Sequence, residues 1–227
     1  MLHHAPIILA SGSSIRQQML KAVGLRFSVA PSGVEEDAIK QQMKAAPIPE
    51  LALALARAKA LAVSSATSPL PMGEVEISPL IPPAGGGDKG GISGEGPLPY
   101  VIGADQICVH QGEMLSKPGS YDRAEAQLAR LAGHTHQQHC AVVLTRGAEV
   151  LWEHHAVATL TMRALTADEI RAYVAADAPL ASCGAYKFEG IGRHLFAQVE
   201  GDHDVIQGLA LVPLLAELHR HGVVGLG

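Results

Sequence analysis

Residue types that bind phosphate stand together near the start of the chain. A serine–glycine loop follows a short apolar run and leads into a helix, with the sequence Ser11-Gly12-Ser13-Ser14-Ile15-Arg16. Free backbone N–H groups and the positive end of a helix dipole favour a phosphate at such a turn, and the guanidinium of Arg16 adds a cation. An ordinary helix cap has the same pattern, so this motif alone leaves both interpretations open.

A carboxylate stands inside the second apolar strand, in the sequence Gly103-Ala104-Asp105-Gln106. Burying it is costly unless it binds a metal, pairs with a cation or abstracts a proton. Asp105 is therefore a candidate catalytic residue, and a structural salt bridge is the alternative. Lys117 comes next along the chain, immediately before Pro118, and contributes only if it faces the same cleft.

Two further segments add charged residues. Glu35, Glu36 and Asp37 follow the apolar run 27–30, and one of these carboxylates is a candidate ligand for Mg²⁺, which prefers carboxylate and phosphate oxygens. A solvated acidic face is the alternative. Residues 184–192 have the character of a glycine-punctuated strand, in which period-2 geometry would place Lys187 and Glu189 on one face.

Other catalytic patterns have less support. His134, His136 and His139 suggest a zinc site, but no cysteine or carboxylate stands nearby at zinc spacing, and twelve histidines make chance clusters common. We therefore predict no zinc site. Neither a Gly-x-Ser-x-Gly elbow nor a Walker A loop occurs, so a serine hydrolase and a P-loop ATPase lack support.

The elements that must position these residues alternate along the chain. Apolar and β-branched composition predicts strands at 6–10, 100–109, 139–145 and 150–162. Cap and stripe patterns predict one helix between a Ser14–Gln17 capping box and a stop at Gly24, and others over 49–63, 122–131, from 166 and over 209–219. This alternation predicts an α/β fold with a central mixed sheet flanked by helices.

Residues 64–99 differ from the rest of the chain. They hold 7 of its 14 prolines and 8 of its 24 glycines, without a helical or strand period. Because proline removes donors and glycine raises the entropic cost of ordering, we predict a flexible insertion in a single domain over 1–227. A mobile lid is the functional alternative.

Composition excludes several classes of protein. The chain has 227 residues and a net charge of −5, too few cations for a polybasic protein that binds a nucleic-acid polymer or a membrane surface. No apolar run approaches the roughly 18 residues of a bilayer span. The first residues lack the cationic region of a signal peptide, and the three cysteines lack paired spacing. We expect a cytoplasmic protein with reduced thiols.

Taken in order, these motifs resemble those of the Maf family of nucleoside triphosphate pyrophosphatases, over nearly the whole chain except 64–99. Six motifs of the family have counterparts here. In chain order these are its serine loop (Ser11–Arg16), its acidic residue (Glu36), its lysine-alanine pair (Lys59-Ala60), its Gly-Ala-Asp strand (Gly103–Asp105), its lysine-proline pair (Lys117-Pro118) and its glycine-aspartate pair (Gly201-Asp202). Ser14 and Gln17 depart from the pattern, where the family has a proline and a second arginine.

The resemblance implies a Maf/Ham1-like fold with a cleft between two lobes, and hydrolysis of the α–β phosphate bond of a nucleotide. It implies that Asp105 is catalytic, that Ser11, Ser13, Arg16, Lys59 and Lys117 bind the phosphates, and that Glu36 and Asp105 bind Mg²⁺ or Mn²⁺. A homodimer is a further expectation. A non-catalytic nucleotide-binding regulator of septum formation is the alternative that the family's association with septum arrest leaves open.

Three positions track the base that family members accept, and here they are Ile15, Gln106 and Glu189. Gln106 and Glu189 are similar to the group that acts on 7-methyl-GTP, as is Lys187, while Ile15 matches neither group. A glutamate can accept hydrogen bonds from the N1–H and exocyclic amine of guanine. The resemblance therefore favours 7-methyl-GTP, with dTTP or UTP as the alternative.

Overall fold

A computed structural model describes residues 2–67 and 97–225 of the chain. Most of the predicted insertion, residues 68–96, therefore lies outside the described residues. Among the residues that are described, no helix is both long enough and apolar enough to cross a membrane.

The elements follow one another in the alternating order that the sequence predicts. The helices are α1 (Ser14–Ala22), α2 (Glu36–Gln42), α3 (Ile48–Ala66), α4 (Tyr121–Leu131), α5 (Ala167–Asp177), α6 (His203–Ile206) and α7 (Leu211–Arg220), with a 3₁₀ turn at Ile191–Leu195. The strands are β1 (Leu2–His3), β2 (Ile7–Leu9), β3 (Ser28–Val29), β4 (Tyr100–His110), β5 (Glu113–Leu115), β6 (Thr135–Arg146), β7 (Glu149–Met162), β8 (Phe196–Glu200) and β9 (Val224–Gly225).

Seven of these strands form one mixed sheet in the order β3-β2-β4-β6-β7-β8, with β5 pairing to β4 outside that path. Strand β2 is parallel to both β3 and β4, whereas β4, β6, β7 and β8 pair antiparallel. Strands β1 and β9 form a separate antiparallel pair. The α/β fold with a central mixed sheet is confirmed.

The long strand β4 changes partners halfway along one edge. Strand β2 pairs with residues Tyr100–Ile102, and β5 pairs with Cys108–His110. Among the described strands, none pairs with this edge between Gly103 and Ile107. The serine loop that follows β2 enters this gap, and Ala10 donates its backbone N–H to the carbonyl of Ile102 at 2.8 Å.

Helices cover both faces of the sheet. Helix α3 packs its small and aliphatic residues on one face, where it forms a core with Val101, Ala141 and Val143. The other face carries a larger core, to which α1, α4, α5 and α7 contribute. Odd-numbered residues of β4 near its middle face α3, and even-numbered ones face the larger core.

Two local predictions were wrong. The residue capping α1 is Ser13, not Ser14, and its side chain accepts no capping hydrogen bond; Gln17 instead donates its backbone N–H to the carbonyl of Ser13. Residues 184–190 form turns rather than a strand, because Gly184 and Ala185 both have positive φ, at 82° and 58°. The pair Lys187 and Glu189 therefore has no shared strand face.

Other local predictions were right. Thr166 and Glu169 form the complete capping box of α5. Gly24 and Gly133 follow α1 and α4 with φ of 75° and 74°, as helix stops require. Helix α3 continues to Ala66, three residues beyond its predicted end, and α7 begins at Leu211, two residues later than predicted.

Candidate active site

Asp105, Lys59 and Glu36 meet at the start of the gap in β4. The ammonium nitrogen of Lys59 lies 2.6 Å from Oδ1 of Asp105 and 2.7 Å from Oε1 of Glu36. The side chains of Asp105 and Lys59 are only 8% and 11% exposed, whereas that of Glu36 is 36% exposed. The structure thus brings together the predicted catalytic carboxylate, a predicted phosphate ligand and a predicted metal ligand.

Gly103 explains how α3 comes close enough to β4 for this contact. A Cβ atom at that position would lie 2.2 Å from the carbonyl oxygen of Ala56 and 2.8 Å from the Cβ of Ala60. The helix backbone therefore lies directly on the strand, and Lys59 on α3 reaches Asp105 two residues along β4. The glycine of the Gly-Ala-Asp motif is needed for this approach. In the sequence it can be recognised by its position two residues before Asp105.

Glu36 belongs to a small charge cluster with Lys40, which follows it by one helical turn in α2. The ammonium of Lys40 lies 3.3 Å from Oε2 of Glu36. Partial burial raises the pKa of Glu36, but the hydrogen bond and charge of Lys59, together with Lys40, outweigh burial and lower the pKa below its usual value. Burial lowers the pKa of Lys40, but the charge and hydrogen bond of Glu36, together with the charges of Asp105 and Asp37, outweigh burial and raise the pKa above its usual value. Both groups are therefore charged at neutral pH.

Arg16 is buried and joins three parts of the site. Its Nη1 donates to the carbonyl of Ala104 at 2.9 Å and to Oγ of Ser11 at 3.1 Å, and its Nε donates to the carbonyl of Gly208 at 2.7 Å. The backbone N–H of Ser13 also donates to Oγ of Ser11, at 3.3 Å. Arg16 therefore fixes the serine loop against β4, and its Nη2 has no hydrogen-bond partner among residues 2–67 and 97–225.

The last residues of α6 orient Gln106, and the turn after the helix packs against it. The amide nitrogen of Gln106 donates to the carbonyls of Val205 and Ile206, at 3.1 and 2.6 Å. With its donors used in this way, the side chain presents its carbonyl oxygen as an acceptor. Gly208, with φ of 94°, allows the turn to pass close to Gln106 and Arg16, since a Cβ there would lie 3.1 Å from Oε1 of Gln106.

The Gly201-Asp202 motif lies at the other end of α6, where the helix begins. The carboxylate of Asp202 accepts a hydrogen bond from the backbone N–H of Asp204 at 3.0 Å, which caps α6. The motif therefore positions the helix whose last carbonyls orient Gln106.

Lys117 is exposed and lies two residues after the end of β5, on the far side of the gap from the serine loop. Within the described ranges it forms no hydrogen bond or ion pair with Asp105. Burial raises the pKa of the Cys183 thiol, and the charge of Lys117 opposes that rise. That Lys117 faces the same cleft as Asp105 therefore stays a prediction.

The structure does not bring Glu189 into contact with this cluster. Glu189 is exposed and forms no hydrogen bond or ion pair with any residue in the described ranges. Lys187 is directed towards the end of α5, where its ammonium donates to the carbonyl of Asp177 at 2.5 Å, and its backbone N–H donates to the hydroxyl of Tyr173. Ile15, the third predicted base-reading residue, is half-buried and packs against the larger core.

Several contributing residues were not predicted from the sequence. Lys40 could have been found from its spacing of four residues after Glu36. Gly208 could not, because it acts through a contact between segments far apart in the chain. Tyr186 anchors the turn that carries Cys183: its buried hydroxyl lies 2.8 Å from the amide nitrogen of Gln138 and 2.9 Å from Nε2 of His136.

The three histidines that suggested zinc do not converge. His136 contacts Tyr186 on the side of the larger core, whereas His139 pairs with His155 at 3.2 Å, and His134 lies beside the carbonyl of Ala132. In the parts of the chain that the structure describes, no group of three or more His, Cys, Asp or Glu residues could hold a metal ion. The carboxylates of Asp105 and Glu36, on either side of Lys59, are a pair of oxygen donors of the kind that a hard cation prefers.

Comparison with known proteins gives consistent similarities. A family model described as "Maf-like protein" matches residues 6–221. A nucleoside triphosphate pyrophosphatase of Legionella pneumophila (strain Corby) is 37% identical over 225 residues, 99% of this chain and 98% of the relative. A 7-methyl-GTP pyrophosphatase of Brucella abortus biovar 1 is 36% identical over 216 residues, 94% of this chain and 95% of the relative. A solved HAM1 protein from Coxiella burnetii aligns over 70% of this chain and 73% of its own, with 12% identity and a TM-score of 0.32, too low to establish a shared fold.

Proposed function

Because this chain belongs to the Maf family, we propose that it is a nucleoside triphosphate pyrophosphatase, which cleaves the bond between the α and β phosphates to give a nucleoside monophosphate and pyrophosphate. One observation carries this proposal above all. The nearly buried carboxylate of Asp105 lies 2.6 Å from the ammonium of Lys59, in a gap of the sheet bordered by the serine loop and Arg16. Relatives that match over nearly their full length are named for this activity.

Asp105 is the proposed general base. A water molecule attacks the α phosphorus, the bond from that phosphorus to the bridging oxygen breaks, and pyrophosphate leaves with the electron pair. The carboxylate of Asp105 accepts the proton of the attacking water. The contact with Lys59 fixes the direction of the carboxylate.

The cationic and serine residues around the gap are proposed to bind the triphosphate. Several groups can each contact phosphate oxygens: the Nη2 of Arg16, the hydroxyls of Ser11 and Ser13, and the ammonium groups of Lys59 and Lys117. Negative charge moves onto the leaving pyrophosphate in the transition state, so fixed cations there lower the barrier. The exposure of Lys117 leaves its ammonium free to move towards the nucleotide.

Glu36 and Asp105 fit the protein's share of a magnesium or manganese site. Mg²⁺ is usually bound by one or two carboxylates, with substrate phosphates and water as its other ligands, and these two carboxylates already point to one place. When bound, such a cation supplies charge neutralisation of the phosphates.

The proposed substrate is a guanine nucleotide, with 7-methyl-GTP as the leading candidate. The carbonyl oxygen of Gln106 and the exposed carboxylate of Glu189 are both acceptors, as guanine N–H groups require. The methylated base also carries positive charge, which a carboxylate favours. The dTTP and UTP alternative keeps the same chemistry with another base. The homodimer that the family implies and the cytoplasmic location that the cysteine pattern favours stay predictions.

Pyrophosphate release from a panel of nucleotides tests this function. The purified protein, with Mg²⁺ or Mn²⁺, is incubated with 7-methyl-GTP, GTP, dTTP, UTP and ATP, and pyrophosphate and monophosphate are measured together. We expect equal amounts of both products and the fastest release from 7-methyl-GTP. Nucleotide binding without any pyrophosphate release would instead favour a regulator that only binds nucleotide, and release of single phosphates would contradict α–β cleavage.

A further inference from the structure

The position of Lys59 between two carboxylates has a consequence for how a divalent cation reaches the site. Its ammonium lies 2.6 Å from Oδ1 of Asp105 and 2.7 Å from Oε1 of Glu36, between the two carboxylates that are proposed to bind the cation. Mg²⁺ binds oxygens at about 2.1 Å, so an ammonium and a metal ion cannot occupy this space together. Lys59 therefore fills the place that the cation would take.

The charges of the cluster lead to the same conclusion. Asp105, Glu36 and Asp37 contribute three negative charges, and Lys59 and Lys40 contribute two positive ones, so the cluster has a net charge of only −1 without any added ion. A divalent cation that joined the cluster with Lys59 in place would leave it with one excess positive charge. Because Asp105 and Lys59 are nearly buried, such an excess is poorly screened by water.

We propose that Lys59 is a built-in counter-ion that must leave Asp105 and Glu36 before a divalent cation binds, so that the cation binds weakly on its own and more tightly with the nucleotide. The triphosphate gives the displaced ammonium a new anionic partner, and the exposure of Glu36 leaves a route for the side chain to move. This inference rests on the proposed function and adds to it an order of events. Without nucleotide, Lys59 keeps the affinity for the cation low.

Binding of Mn²⁺ alone, measured by the loss of the free-ion signal in electron paramagnetic resonance, tests the proposal without nucleotide. We expect Lys59→Met to bind Mn²⁺ at least about tenfold more tightly than the unaltered protein, because the variant leaves Asp105 buried without a counter-ion. Lys40→Met is the matched control: it removes the same charge from Glu36 but does not vacate the space between the carboxylates. A clearly smaller gain is expected for it, and equal gains for the two variants, or none for Lys59→Met, would overturn the proposal.

A second measurement uses the unaltered protein, in case Lys59→Met does not fold. Acetylation of lysine amines by a water-soluble succinimidyl acetate is followed by peptide mass spectrometry, with and without saturating Mg²⁺ at constant ionic strength. Lys59 should become several-fold more reactive when Mg²⁺ is present, since displacement exposes its amine, while the exposed Lys21 should not change. Reactivity of Lys59 that is unchanged or reduced by Mg²⁺ would contradict displacement.

The two proposals can fail separately. Neither measurement contains a nucleotide, so both report on Lys59 whether or not the protein releases pyrophosphate. A protein that cleaves nucleotides but shows no change at Lys59 would retain the proposed function and lose this inference. A change at Lys59 as predicted, in a protein that releases no pyrophosphate, would retain this inference about the counter-ion and contradict the proposed function.

Discussion

Asp105 is nearly buried, and Lys59 is the residue that makes its charge tolerable at that depth. Removing one member of a buried ion pair typically costs several kcal/mol, since the other is left without a partner. The pair is therefore structural as well as chemical, and both alternatives that the sequence left open for Asp105, salt bridge and catalysis, apply to the same group. Gln106 and Glu189 differ from Asp105 because neither is a buried charge: Gln106 is neutral and Glu189 is exposed, so neither needs a counter-ion.

The reading of the base is tested at Glu189. We predict that Glu189→Gln raises KM for 7-methyl-GTP and GTP by about tenfold, because a hydrogen bond to a charged acceptor is stronger than one to a neutral acceptor. The KM for UTP should change little. Initial rates across substrate concentrations measure the effect, and Glu149→Gln, which alters another exposed glutamate, is the control. An equal loss for all bases would remove Glu189 from base recognition.

At the scale of elements, the contact of α3 with β4 positions the chemistry. We predict that Gly103→Ala lowers the free energy of unfolding by about 1–3 kcal/mol, because the new methyl group would overlap the carbonyl of Ala56. Activity should fall as well, since Lys59 moves away from Asp105. Urea unfolding and pyrophosphate release measure the two effects.

Gly190→Ala provides the control for that substitution. A Cβ at Gly190 meets no atom within 4 Å, and its φ is −123°, so the change should alter stability by less than about 0.5 kcal/mol. If the two alanine variants were equally stable, the close packing of α3 on β4 would not be needed.

Much of the fold could be predicted because its signals are local. The apolar runs of β4, β6 and β7 and the capping box of Thr166 each lie within a single segment. The turn at 184–190 could not be predicted, because Ala185 adopts a positive φ that its sequence does not favour. Its conformation depends instead on Tyr186, whose hydroxyl is bound by two residues of β6.

The residues of the site could also be predicted from the sequence, but their contacts could not. Asp105, Lys59 and Glu36 were identified by motif, and the structure brings them into contact. The same motif gave no indication that Arg16 would use its Nε and Nη1 on the carbonyls of Gly208 and Ala104, nor that Lys59 would bind carboxylates. Such contacts join residues up to 192 positions apart, and no local pattern encodes them.

At the scale of the whole molecule, we expect buried histidines to make the folded state less stable in acid. Burial lowers the pKa of His136 to about 4, because the ring lies in the larger core beside Tyr186. The unfolded chain, with a pKa near 6.5 for this group, binds the proton more readily, so the folded state is fully favoured above pH 6.5 and loses stability as the pH falls from there towards 4. Burial also lowers the pKa of His139 and His155, which act in the same direction.

We predict that His136→Gln makes the free energy of unfolding less dependent on pH. Between pH 7 and pH 5, His136 should account for a loss of about 2 kcal/mol in the free energy of unfolding, which the variant should not show. The variant should be less stable at pH 7, since Tyr186 loses its imidazole partner. Urea unfolding at both pH values measures this, with the exposed His134→Gln as control. An unchanged slope for His136→Gln would exclude His136 as its source.

The central claim is that Asp105 accepts a proton during release of pyrophosphate, and Asp105→Asn tests it most directly. Asparagine keeps the shape of the side chain but cannot serve as the base, and Asp122→Asn, which alters an exposed aspartate on α4, is the control. We predict that kcat for the preferred nucleotide falls by about 10²- to 10⁴-fold in Asp105→Asn, with an unchanged circular dichroism spectrum, and stays near normal in the control. Near-normal turnover by a folded Asp105→Asn would contradict the account.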